Sequence, residues 1–118
     1  MVKENIIMDK SFEFSINIIK LYKQLKDKKE FIISKQILRS GTSIGANLTE
    51  SKFGSSKKDF LNKVSIALKE ANETLYRLNL LEKSDLVDLD VSNYIKENNE
   101  IIAILVKIVN TTKANLNS

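Results

Sequence analysis

Residues 56–84 read SKKDFLNKVSIALKEANETLYRLNLLEKS. Phe60, Val64, Ala67, Leu68, Ala71, Leu75 and Leu78 recur at steps of three and four. At 100° per residue they share one side of a helix. Ser56 offers an N-cap hydroxyl, and Asp59 follows three residues later at the positive end of the helix dipole. Lys83 and Ser84 close the segment. An apolar stripe of about three heptads with no Pro or Gly inside it predicts a helix that packs along its whole length.

The same periodicity extends in both directions. Upstream, a helix is predicted to begin between Asp27 and Phe31, with Asp27-x-x-Glu30 as a variant capping box. Its core stripe is Ile37, Gly41, Ile44 and Leu48, which fall within about 60° of one another. Gly41 on that stripe permits close approach of another helix, and Gly54 reads as a stop. Before it, Ser11 to Lys26 forms the first helix, capped by Asp9 or Ser11. Phe12, Ile16 and Ile19 mark its face, and Phe14, Ile18, Leu21, Tyr22 and Leu25 widen it enough to touch two neighbours. Downstream, an acidic link from Ser84 to Asp90 leads to a helix from Ser92 to Lys113, with a fraying tail from Asn115 to Ser118. Tyr94, Ile95, Ile101, Ile102, Leu105, Ile108, Val109 and Thr112 supply its face. Four helices with short connections predict an all-α fold, an antiparallel up-down-up-down four-helix bundle filling residues 1–118 as a single domain.

Composition narrows the chemistry. The 118 residues contain no Cys, His, Pro or Trp. Disulfides, thiolate metal sites, thiol nucleophiles and imidazole catalysis are therefore excluded. Carboxylate-bridged metal bundles need inward Glu-x-x-His pairs, and Glu70 and Glu73 lie off the apolar stripe. No phosphate-cradling glycine loop is present. The expectation is a protein that is not an enzyme and carries no cofactor or metal. The polar opening and the lack of an apolar run near 18 residues predict a cytoplasmic protein that does not enter a membrane. Lys supplies 17 of the 19 positive charges behind the net +4, beside 15 Ile and 12 Asn. All three have A/T-rich codons, so part of the basic character follows from codon bias.

Three surfaces stand out. Gln36, Arg39, Ser43, Asn47 and Glu50 gather opposite Ile37 and Ile44. They form either a solvated face with a few helix-to-helix hydrogen bonds or a polar packing surface, inside the bundle or between subunits. An ion pair from Arg39 to Glu70 or Glu73 is predicted there. On the third helix Ile66, Tyr76 and Leu80 point away from the stripe, at about 240°, 160° and 200° from Phe60. They are surface scatter or, preferably, an oligomer interface. Finally, the end holding the 51–56 turn gathers Lys3, Lys10, Lys52, Lys57, Lys58, Lys107 and Lys113 against Glu4, Asp9 and Asp59. At the opposite end lysines and acids nearly balance. The first end either solvates loops or binds an anionic backbone.

The run Gln36-Ile-Leu-Arg-Ser-Gly-Thr-Ser-Ile-Gly-Ala-Asn-x-x-Glu50, together with Ser56-Lys-Lys-Asp-Phe60 and Lys63-Val-Ser-Ile-Ala-Leu-Lys-Glu-Ala-Asn-Glu-Thr-Leu-Tyr76, resembles a known family. These are the bacterial four-helix bundle proteins first described as open reading frames in 23S ribosomal RNA intervening sequences. Arg77 departs from it, standing where related chains often carry Trp. The resemblance implies an antiparallel bundle, in several members a homopentamer. It also implies kinship with the accessory variability protein of diversity-generating retroelements, which binds nucleic acid and a reverse transcriptase. The family signature falls on Arg39, Ser43, Asn47, Glu50, Phe60, Ala67, Glu70 and Glu73, in packing and assembly roles. The leading expectation is a homo-oligomeric, pentameric bundle that binds RNA or DNA through Lys10, Lys52, Lys57, Lys58, Lys107 and Lys113. The alternative is a protein-interaction scaffold with no nucleic-acid role.

Overall fold

The computed structural model describes residues 2–54 and 56–117, with side chains from Ile6 onward. Helices α1 (Val2–Asp27), α2 (Ile33–Ser51), α3 (Lys57–Ser84) and α4 (Ser92–Asn117) form a rod of 50 × 23 × 22 Å. Each helix packs on two neighbours, α1 on α2, α2 on α3, α3 on α4 and α4 on α1, and diagonal pairs do not touch among the described residues. This is the antiparallel four-helix bundle predicted from the periodicity.

Helix α1 starts well before Ser11. The reason is Ile7, which extends the step of Ser11, Phe14, Ile18, Leu21 and Leu25 by another turn and is buried with them. Asp9 and Ser11 therefore lie inside the helix and cap nothing; the Ser11 hydroxyl donates to the Met8 carbonyl at 3.0 Å. The expected face of Phe12, Ile16 and Ile19 turns outward instead. Helix α4 likewise continues through Asn117, so the tail is helical up to that residue, and Ser118 lies outside the described residues.

Asp27 is the last residue of α1, so the expected Asp27-x-x-Glu30 box does not form. Lys29 takes a left-handed backbone (φ 65°). Glu30 N–H then donates to the Leu25 carbonyl at 2.8 Å, and Lys29 N–H to that of Lys26 at 2.8 Å, which is a Schellman ending. The Glu30 carboxylate turns forward and accepts from the N–H groups of Ile32, Ile33 and Ser34 at 3.1, 3.1 and 2.6 Å. Its carbonyl accepts from the Ser34 hydroxyl at 2.8 Å. One residue thus ends α1 and satisfies the open amides that start α2.

Helix α2 ends in a tight turn, with Phe53 N–H donating to Glu50 at 3.0 Å and Gly54 N–H to Ser51 at 3.3 Å. Gly54 has no left-handed backbone. Its role is close approach: a Cβ there would meet the Asp59 Cβ at 3.2 Å. Ser56 caps α3 as predicted, accepting from Asp59 N–H at 3.1 Å. Asp90, ahead of α4, accepts from Ser92 N–H at 2.9 Å, and these bonds to Ser92 hold its carboxyl below the ordinary value.

The core follows the stripes. Ile37, Ile44 and Leu48 of α2 share one core with Phe14, Ile18 and Leu21 of α1, Val64, Ala67, Ala71 and Leu78 of α3, and Ile101 and Leu105 of α4. Each fully buried Ile, Leu or Phe contributes about 1.5–3 kcal/mol. At Gly41 a Cβ would lie 2.9 and 3.0 Å from the two γ-carbons of Ile18, so α1 and α2 come as close as a bare glycine allows. The lighter α1–α4 seam is held by polar links: Lys10 to Glu100 at 3.3 Å, and Asn17 to both carboxylate oxygens of Glu97 at 3.1 and 3.0 Å.

Candidate interaction surfaces

The polar residues of α2 use most of their hydrogen bonds within their own helix. The Ser43 hydroxyl donates to the Arg39 carbonyl at 2.7 Å, and the Asn47 amide donates to the Ser43 carbonyl at 2.9 Å. Two links cross to α3. In the interior, Thr74 Oγ1 donates to Ser40 Oγ at 2.8 Å, both residues being fully buried. At the surface, Lys63 pairs with Glu50 at 2.8 Å.

The expected ion pair from Arg39 to Glu70 or Glu73 does not form within 4.0 Å among the described residues. Arg39 is exposed, and an exposed pair gains too little to hold two long side chains in one geometry. Its charge still favours ionisation of Glu70. Burial opposes this most strongly, followed by the hydrogen bond and charge repulsion from Glu73, and the Glu70 carboxyl is held above its ordinary value. Glu70 Oε1 is buried without a partner, as is one terminal nitrogen of Arg77.

The residues singled out on α3 do not form one patch. Tyr76 (64 %) and Leu80 (39 %) are exposed, whereas Ile66 is half-buried. A wider apolar surface lies on α1, where Phe12, Ile16 and Ile19 are exposed, Phe12 by 68 %. Met8, Phe12 and Ile19 border a shallow groove floored by Thr42, Gly45, Ala46 and Thr49 of α2. The periodicity had placed these α1 residues inside, so this surface was missed.

At the α2–α3 turn Lys52, Lys57 and Lys58 are all exposed and form no ion pair among the described residues. Lys107 and Lys113 on α4 are exposed as well. Lys10 differs, being half-buried and paired with Glu100. Lys3 and Glu4 lie outside the described side chains. A further residue joins this end: Phe53, 82 % exposed between Lys52 and Gly54. Its signal in the sequence is an aromatic with no periodic partner inside a Gly/Ser turn. Among the described residues no group of three acidic side chains is placed to hold a metal ion, and no helix is long and apolar enough to cross a membrane.

The profile of the 23S rRNA-intervening sequence protein family matches residues 3–107. The chain belongs to this family. A solved structure from the S23 ribosomal protein family of Bacteroides thetaiotaomicron VPI-5482, of unknown function, is 47 % identical. The match covers 92 % of this chain and 98 % of that one, with a TM-score of 0.87. No curated protein matches the chain. Arg39, Ser43, Asn47, Glu50, Glu70 and Glu73, which the resemblance singles out, lie on the two helices that meet in the α2–α3 seam, and Ala67 is in the core with Phe60 packed against it.

Proposed function

We propose that the chain acts as a non-enzymatic, homo-oligomeric bundle, a pentamer in the cytoplasm, that binds RNA or DNA through its basic end. The observation that carries this reading is the group of exposed lysines Lys52, Lys57 and Lys58 at one pole of the rod, with Lys107 and Lys113 on the adjoining helix. An oligomer multiplies that field, and each neutralised phosphate releases counterions. Exposed apolar side chains on α1 and α3, which are not in contact with each other, favour self-assembly through two separate faces.

The test is a salt titration of nucleic-acid binding. Affinity should fall linearly on a log–log plot, and changing Lys52, Lys57 and Lys58 to Gln should flatten the slope by about two to three units. An unchanged slope and affinity would place binding elsewhere. Light scattering tests assembly: Tyr76→Asp or Leu80→Asp should yield monomers, and an unchanged mass removes that face as the subunit contact. A second reading, a protein-interaction scaffold, is favoured by the exposed Phe12, Ile16 and Ile19 on α1. It requires a partner whose binding is nearly indifferent to salt and is lost with Phe12→Asp.

A further inference from the structure

The α2–α3 turn combines features that a purely electrostatic phosphate site does not need. Phe53 presents most of its ring to solvent, on a backbone turn closed by hydrogen bonds. Its own N–H is bonded to Glu50, the next N–H is bonded to Ser51, and Gly54 is pressed against the first turn of α3. Phe53 is the most exposed large hydrophobic side chain among the described residues, and it stands amid exposed lysines.

The groups around it are sorted by chemistry. Lys52 precedes Phe53, and Lys57 and Lys58 open α3 just beyond the turn, all three exposed. On the other side Phe53 borders a shallow groove of roughly 420 Å³ walled by Glu50, Asp59, Asn62 and Lys63. Lys63 and Glu50 pair with each other at this groove, which leaves the Asn62 carboxamide as its neutral polar wall. A carboxamide both donates and accepts, which suits the edge of a base. We propose that this turn is a stacking site for an unpaired nucleobase, with Phe53 as the platform, Asn62 facing the base edge, and Lys52, Lys57 and Lys58 holding the flanking phosphates. The ligand is therefore a single-stranded nucleic acid: a duplex keeps its bases stacked on one another and leaves Phe53 nothing to cover. This deepens the nucleic-acid reading above and rests on it. Phe31 supplies an internal control. It too is an exposed loop aromatic beside lysines, but at the pole shared with the acidic Asp85–Asp90 connection, and its neighbour Glu30 is committed to capping α2.

The experiment compares four labelled probes of equal length in fluorescence anisotropy: a single-stranded DNA, a single-stranded RNA, a DNA duplex and an abasic sugar–phosphate strand. The two single strands should bind at least about tenfold more tightly than the duplex or the abasic strand. Phe53→Ala should cost about tenfold or more on the base-carrying single strands, leave the abasic strand and the salt slope unchanged, and keep the helical circular dichroism. Phe31→Ala should change nothing. Phe53→Trp should retain affinity and, in a chain without other tryptophan, lose indole emission when a base stacks on it. If Phe53→Ala binds like the parent while the lysine changes still flatten the salt slope, stacking is overturned and the electrostatic reading stands. Preference for the duplex, or indole emission from the Phe53→Trp variant that stays unquenched at saturation, also overturns stacking. If the parent protein binds none of the four probes, the nucleic-acid reading falls, and this proposal falls with it.

Discussion

Adding the same methyl group at two positions of α2 should have opposite effects. Gly41 and Gly45 lie one turn apart in the interior of the helix, and both face α1. Glycine to alanine in a helix interior gains about 1 kcal/mol of propensity at either site. The surroundings differ. At Gly45 the new Cβ would sit 3.4 Å from Ser15 Oγ and 3.5 Å from the Ser11 carbonyl, which is ordinary contact. At Gly41 it would sit 2.9 and 3.0 Å from the γ-carbons of Ile18. Ile18 is fully buried, and its branch at Cβ leaves it one favoured rotamer in a helix, so it cannot swing aside. Relief requires α1 and α2 to separate, and overpacking of this kind costs about 1–3 kcal/mol. Gly45→Ala should therefore stabilise by up to about 1 kcal/mol, while Gly41→Ala should be neutral or destabilising by up to about 2 kcal/mol. Urea unfolding at one fixed protein concentration reads the difference as a shift in midpoint at constant m-value. Equal stabilisation by both substitutions would show that the α1–α2 approach is not limited by Ile18.

Four further outcomes follow from the same geometry. Glu30→Ala removes the acceptor for three amides at the start of α2 and should cost about 1–2 kcal/mol in urea unfolding; a change under about 0.3 kcal/mol would mean that water replaces it. Lys29→Gly relieves a left-handed backbone and should stabilise by about 1 kcal/mol by the same assay, a loss of stability counting against the Schellman assignment. Asn98 is fully buried, with Nδ2 bonded to the Ala71 carbonyl at 3.0 Å and Oδ1 without a partner; Asn98→Leu should raise stability by about 1 kcal/mol, and marked destabilisation would mean the amide is better satisfied than its contacts indicate. The two shifted carboxyls predict opposite pH dependences. Glu70, raised in the fold, binds its proton more tightly when folded, so its contribution declines as pH rises from the ordinary value of 4.5 through its folded value, and Glu70→Gln should remove that decline. Asp90, lowered in the fold, contributes above the ordinary value of 3.8 and loses that contribution as pH falls through its folded value, so Asp90→Asn should flatten the acid limb; matching profiles for parent and variants would refute both assignments.

The bundle was legible because three helices declare one narrow stripe each. Ile37, Gly41, Ile44 and Leu48 leave no second way to bury α2, and Ser56 marks the start of α3 by a local hydrogen bond that needs no tertiary partner. Connections were less legible. Glu30 was read as the closing member of a box begun by Asp27, yet it acts forward on three amides because α1 runs on to Asp27 and the left-handed Lys29 redirects the chain. The Arg39 ion pair failed for a different reason. Arg39 does stand near the level of Glu70 and Glu73, since the adjacent Ser40 meets Thr74 across the seam. At a given level, however, two short buried hydroxyls are fixed by packing, while a long exposed arginine is free to stay in water.

Helix α1 shows where periodicity runs out and what decides instead. Its apolar residues make two stripes, Ile7, Phe14, Ile18, Leu21 and Leu25 on one side and Phe12, Ile16 and Ile19 on another, and either satisfies the helical repeat. The five-residue stripe is the longer, and it is the one that is buried. On α2 the core position Gly41 has no side chain, and Ile18 packs directly against it. With Ile18 seated, 100° per residue carries Ile7, Phe14, Leu21 and Leu25 inward and leaves Phe12, Ile16 and Ile19 about 100° to 160° away, facing solvent. The missing side chain of one helix thus matches the rotation of its neighbour. The same rotation places an apolar surface on α1, diagonally across from Tyr76 and Leu80 on α3. Two unlike apolar faces on different helices of one rod suit a heterologous contact better than a two-fold one, because each face would meet the other rather than itself.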